Sequence, residues 1–342
     1  MELYLLHGLY KWQIRSGDFR GLEELTERIA TVAKQVADPL ANAIANAVSA
    51  LTCFYTGNHR EVQRHADIAM AAPVHLSRLN PESFGDLYRV RALLARNLWA
   101  LGYPDQAIVT ALEAVQEAEE LNHPFTLCYV LMSCVIVPLK SGNWQRAEEM
   151  IQRLSYIADK HNLSTYSRAC VGWEGRLAVS RADLSRGIHL LQTAKAAMHQ
   201  DGYELYRSQL VVSLAEGLAK TGQLESARSA ISEEIVWVEA RDRLVDHMDL
   251  LCVKGVILSS MSQQDASEGL ACLLQAHEVA QQRGLLSLEL RSGISIARLW
   301  ADRGEADRAL ELLEPIFSRF SEGFQTLDLL AAAKLLAELR SL

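Results

Sequence analysis

The chain predicts an all-α solenoid, a stack of about eight helical hairpins with a period near 40 residues and a closing C-terminal helix. Three observations carry this reading. Glycine-centred turns recur at a nearly constant step, and small residues stand at fixed distances on either side of them. Proline and aromatic residues are scarce, seven prolines and 7% aromatics in 342 residues, while Ala and Leu abound, which favours helix over sheet.

The reference copy is the stretch 98–115. Its apolar run stops at Gly102, Pro104 restarts it, and Ala107, Ala111 and Ala114 then share one helical face. Equivalent turns fall at Gly17, Gly57, Gly142, Ala182, Gly222, near Gln264 (a blurred copy) and at Gly304, giving steps of 40, 45, 40, 40, 40, 42 and 40 residues. Five residues after the turn, helix B carries Ala107, Ala147, Gly187, Ala227, Gly269 and Ala309 where its partner crosses; Leu22 and Val62 break the rule. Seven residues before the turn, helix A carries Ala50, Ala95, Gly175, Ala215 and Ala297, with Tyr10, Val135 and Ile257 as exceptions. The first helices of the regular hairpins are expected at 84–101, 124–141, 163–180, 203–221, 243–261 and 286–303.

The whole chain, 1–342, reads as one continuous repeat domain. Residues 1–72 hold two divergent hairpins, 73–85 an inserted loop with two prolines, 86–325 the regular hairpins, and 326–342 a capping helix with Thr326 at its N-cap. The first helix has no such lid, which leads us to expect a segment upstream of Met1.

Net charge is −8, with 42 acidic against 34 basic residues, so the molecule as a whole is not drawn to nucleic acid or to an anionic membrane. Cys53, Cys128, Cys134, Cys170, Cys252 and Cys272 form no C-x-x-C pair and sit in apolar runs, as buried reduced thiols of a cytoplasmic protein do. No signal peptide is readable, and the most apolar run, Leu127–Leu139, is too short to span a bilayer. That helix is greasy on all sides, which fits burial between neighbours or the floor of a groove. The six tryptophans read mostly as packing residues.

Catalysis has no candidate. The sequence lacks a P-loop, G-x-G-x-x-G, G-x-S-x-G and H-E-x-x-H. His59 and His65 do not share a helical face, and Glu119–Glu120, Glu148–Glu149 and Glu233–Glu234 read as solvated helix faces. No metal or cofactor is expected, and an enzyme is the least supported class.

A small residue on helix A, a turn and a small residue on helix B resembles the tetratricopeptide repeat, though with a longer period than usual. The resemblance implies a right-handed superhelix whose concave groove is lined by positions six and thirteen before each turn. Here the first set is Arg96, Ile136, Arg176, Glu216, Leu258 and Arg298, and the second Arg89, Tyr129, Ala169, Gln209, Leu251 and Arg291. Residues seven apart share a face, so Arg89/Arg96 and Arg291/Arg298 are expected to stack, with Lys140 and Lys220 extending the stripe along the rim. Two readings stand. The cations bind an acidic peptide, carboxylate or phosphate-bearing ligand, or they pair with acids such as Asp86, Glu174, Asp249 and Glu289 to hold the stack together.

Residues 102–107 with 122–129, and 287–300 with 315–329, are similar to the C-terminal tetratricopeptide region of large bacterial regulators. Those regulators carry a signal-transduction ATPase core with a winged-helix or nucleotide-cyclase domain in front. The similarity implies a non-enzymatic regulatory module that binds a protein or peptide partner, or a sensor for a small effector such as a sugar or peptide. It implies no direct nucleic-acid or membrane contact, and it puts any ATPase or DNA-binding activity in modules outside this chain.

Overall fold

The computed structural model describes residues 1–71 and 81–341, and from the second span the side chains of residue 87 onward. All regular structure among the described residues is helical. The helices are α1 (Glu2–Ser16), α2 (Leu22–Val36), α3 (Pro39–Tyr55), α4 (His59–Ala71), α5 (Pro81–Leu101) and α6 (Pro104–Glu120). There follow α7 (Pro124–Cys134), α8 (Ile136–Ser141), α9 (Trp144–Lys160), α10 (Ser164–Ser180), α11 (Leu184–Gln200) and α12 (Arg207–Lys220). The chain ends with α13 (Leu224–Glu239), α14 (Leu244–Ser259), α15 (Gln263–Arg283), α16 (Leu286–Asp302), α17 (Ala306–Ser318) and α18 (Leu327–Leu339).

Successive helices pair as antiparallel hairpins stacked side by side, an α-solenoid. The turn glycines adopt left-handed backbone, and Ala182 does the same at φ 64, at a steric cost that glycine avoids. The small positions are where the paired helices cross. A Cβ added to Gly187 would lie 2.9 Å from the carbonyl oxygen of Gly175. The alanines at the equivalent positions, Ala95, Ala107, Ala147, Ala215, Ala227, Ala297 and Ala309, are fully buried.

Several expectations need correction. The blurred turn lies at Ser260–Ser262, not at Gln264: α14 stops at Ser259, and the Ser262 side chain caps α15 by accepting from the Asp265 N–H. This moves the registry of that copy by two residues. Gly255, not Ile257, crosses Gly269, and Leu251 and Leu258 fall in the core. The loop expected at 73–85 lies outside the described residues as far as 80, and α5 already begins at Pro81. Thr326 does stand at the N-cap of α18, but its side chain makes no capping bond. Trp12 is 63% exposed and packs little, part of an open α1 face with Tyr4, Leu5 and Leu9.

The greasy helix is broken at Val135, because Pro138 has no N–H to return to Cys134, and α7 and α8 meet there. The stretch 124–141 has a membrane-span composition over 18 residues, longer than the 13 read from sequence, yet 78% of it is buried inside the protein. The six cysteines are free; all but Cys53 are buried.

After five hairpins the solenoid returns to its own start. The turns at Gly57, Gly102 and Gly142 meet Leu244, Leu286 and Leu327, the first residues of α14, α16 and α18. At the first turn, the Phe19 N–H donates to the Arg241 carbonyl (3.0 Å) and the Glu204 N–H to the Arg15 carbonyl (2.8 Å). Farther along, the Asp105 and Gln106 N–H groups both donate to Glu322 Oε1, and the Gly323 N–H returns a bond to Asp105. At Gly323, with φ 75, a Cβ would collide with Pro104. The expected concave groove is therefore curled into a lumen where the early turns meet the later helices.

Candidate functional site: a charged lumen

Residues of α5, α8, α12, α14 and α16, with the end of α3 and the start of α4, line a cavity of about 80 Å³. Its wall includes Phe54, His59, Arg96, Ile136, Lys140 and Arg291. A second space of about 30 Å³ continues past Lys140 to Arg176 and Gln209.

Arg96 is held by aromatic rings. Its guanidinium lies 4.7 Å from the ring centre of Phe54 and 5.7 Å from that of Tyr206, and Arg89 lies 4.3 Å from that of Tyr129. These are cation–π distances, and they set each planar cation against an aromatic face. Arg96 makes no ion pair among the described residues, and its Nη1 is buried without a hydrogen-bond acceptor. The two arginines thus sit on separate aromatic platforms.

Lys140 reaches the lumen from the end of α8. Burial pulls its ammonium down to about 8, against the attraction of Asp249 and helped by repulsion from Arg291 and Arg176. Burial likewise lowers Arg176 to about 10, with Glu216 opposing, and Arg176 Nη1 donates to Gln209 Oε1. Arg291 is the structural cation of the group: Asp328 at 3.1 Å and Asp249 at 3.9 Å pair with it, and Asp328 raises its basicity.

The predicted stripe is therefore split. Arg89, Arg96, Lys140, Arg176, Glu216 and Arg291 gather around the lumen, whereas Lys220 and Arg298 are exposed. Of the acids expected to pair, Asp249 does so with Arg291, while buried Glu289 pairs with Arg319 instead; the Asp86 side chain lies outside the described residues. Sequence reasoning missed Asp246, Asp249 as a lumen residue, Asp328 and His59. With the turn at Ser262, Asp249 occupies the position thirteen before it, so the two-residue registry slip hid it.

His59 has no sequence motif to mark it, and its surroundings are distinctive. It opens α4, is 1% exposed, packs edge-on against Phe54 at 4.9 Å, and meets Asn97 Oδ1 through Nδ1 at 2.8 Å. Burial pulls its pKa down to about 4. A histidine whose folded pKa lies below its unfolded value of about 6.5 gives stability that is present above the unfolded value and lost as pH falls toward 4. The urea midpoint is expected to drop between pH 7 and pH 5 by the equivalent of about 2 kcal/mol from this group. The His59→Gln variant should lose that part of the acid sensitivity; an unchanged slope would refute the assignment.

A tetratricopeptide-repeat family model matches residues 88–113 and 294–315, the α5–α6 and α16–α17 hairpins. Among solved structures, the chain is similar to a Rap protein complexed with Competence and Sporulation Factor, with TM-score 0.63, 14% identity, and coverage of 94% of this chain and 82% of that one. It is also similar to the apo form of RapI, with TM-score 0.51, 12% identity, and coverage of 86% and 98%. The fold is a tetratricopeptide-repeat solenoid. A further similar structure is a signal transduction ATPase with numerous domains and a tetratricopeptide repeat sensor from Pyrococcus horikoshii, at TM-score 0.48, 13% identity, and coverage of 98% and 50%. No curated protein matches the chain.

Proposed function

We propose that the chain is a non-enzymatic regulatory interaction module that captures an acidic peptide or protein segment in its lumen. The observation that carries this is the pair Arg96 and Lys140, which line one cavity, are largely withdrawn from water, and make no ion pair among the described residues. Withdrawing a cation from water without a partner costs stability, and sites that bear such a cost are disproportionately functional. Arg291 and Arg243 answer to the structural reading, since each has its own aspartate. The similar Rap structure contains a bound factor, and tetratricopeptide solenoids are interaction folds, which supports a binding role for this one. The resemblance to the sensor regions of bacterial regulators adds a regulatory setting.

The test is affinity selection from a random hexapeptide library. Wild type should enrich sequences rich in Asp and Glu, Arg96→Gln and Lys140→Gln should lose the enrichment, and Arg298→Glu, altered at an exposed position away from the cavity lining, should keep it. Enrichment that survives both lumen variants contradicts the proposal.

A small effector is the second reading, favoured by the small cavity volume of about 80 Å³. A thermal-shift screen of sugars, nucleotides and short peptides addresses it, since a ligand at 100 times its Kd adds about 2.7 kcal/mol.

A further inference from the structure

Two side chains that line the cavity, Arg96 and His59, each carry an unsatisfied polar atom, and the two are of opposite kind. Arg96 Nη1 is a buried donor without an acceptor, and His59 Nε2 is buried without a partner. The role of Nε2 follows from its neighbours. Asn97 Nδ2 donates to the His59 carbonyl at 3.2 Å, which turns Asn97 Oδ1 toward His59 Nδ1 at 2.8 Å. Nδ1 therefore carries the ring proton, and Nε2 of the neutral imidazole is an acceptor. Buried donors and acceptors are normally satisfied, so two orphans on one cavity point to a ligand that supplies both partners.

We propose that the lumen holds an α-carboxylate together with its adjacent N–H, the carboxylate accepting from Arg96 and the N–H donating to His59. This rests on the lumen-capture reading and narrows its chemistry. Two sources present the same group: a free amino acid and the C-terminal residue of a peptide. The size agrees, because one water needs roughly 10–15 Å³ of such space, so about 80 Å³ accepts a group of several non-hydrogen atoms. Ile136, Val137 and Leu288 offer an apolar wall for its side chain, and Lys140 adds positive charge to the lining. The aromatic rings on Arg96 fix the guanidinium plane, which suits bidentate capture of a carboxylate.

Isothermal titration of the full chain tests this with free alanine, valine and leucine, and with N-acetyl tripeptides ending in those residues as free acids or as amides. Free acids should bind, and amidation should weaken binding about tenfold to a hundredfold, the loss of a charge-assisted bond. Arg96→Gln should produce the same loss, Ile136→Phe should block binding by filling the cavity, and Arg298→Glu should bind as wild type. Tripeptides ending in proline, which lacks the N–H, should bind less tightly, and His59→Phe should erase that difference. Binding of the free amino acids assigns a solute sensor; binding of the acetylated tripeptides alone assigns a peptide terminus. Equal binding of acids and amides overturns the carboxylate subsite while leaving peptide capture standing. Absence of binding by every probe to a variant set that melts like wild type also overturns it, and the hexapeptide selection then decides separately on capture.

Discussion

Valine at Gly269 is expected to destabilise the protein by about 2–3 kcal/mol, the cost of overpacking a close helix crossing. Glycine inside a helix is ordinarily the weaker choice, so alanine in its place gains roughly 0.5–1 kcal/mol. That holds where space is open, as at Gly8 in α1, which has nothing within 4 Å of an added Cβ. At Gly269 the sign reverses. A Cβ would stand 2.6 Å from the Gly255 carbonyl oxygen and 2.7 Å from Ser259 Oγ, and that hydroxyl is already committed to the same carbonyl. Backbone oxygen cannot move aside without opening the α14–α15 pair. Urea unfolding of Gly269→Val should show a lowered midpoint, and Gly8→Ala a raised one; a Gly269→Val midpoint at or above wild type would refute the crossing.

Arg243→Leu is expected to cost about 3–5 kcal/mol, the range for stripping one partner from a buried ion pair. Arg243 is 2% exposed and ties several parts of the chain together. It donates to the Leu205 carbonyl at 2.7 Å, pairs with Asp246 at 2.7 Å, and lies over the rings of Phe19 and Trp237. Removing it strands Asp246 beside the lumen and loosens the first turn from the α13–α14 hairpin. Limited proteolysis should then cut near Gly17–Gly21 well before the rest of the chain. Cleavage and melting like those of wild type would show that this side of the closure carries little energy.

Much of the fold was readable because the periodicity is local. A turn glycine, a crossing alanine and the amphipathic faces between them are fixed by a few neighbouring residues, and Ala182 kept the step of 40 even without glycine. What the sequence could not reveal is where the solenoid meets itself. That depends on a small rotation per hairpin summed over five of them, and it changes a groove into a lumen. The same geometry decided the site. Arg96 and Lys140 were found by registry, Lys220 and Arg298 share that registry but face water, and Asp328 joined from a helix that follows the repeats. His59 was invisible because its significance lies in Asn97 and Phe54, which only the packing of α3, α4 and α5 brings to it.

Closure of the solenoid is the claim on which the lumen, its unpaired cations and the proposed ligand all depend. Pulsed electron spin resonance between labels at Arg20 and Asp242 measures it directly, since both are exposed and flank the bond from the Phe19 N–H to the Arg241 carbonyl. The closed lumen predicts one narrow distance at the short end of the measurable range. A broad distribution centred on long distances would contradict it.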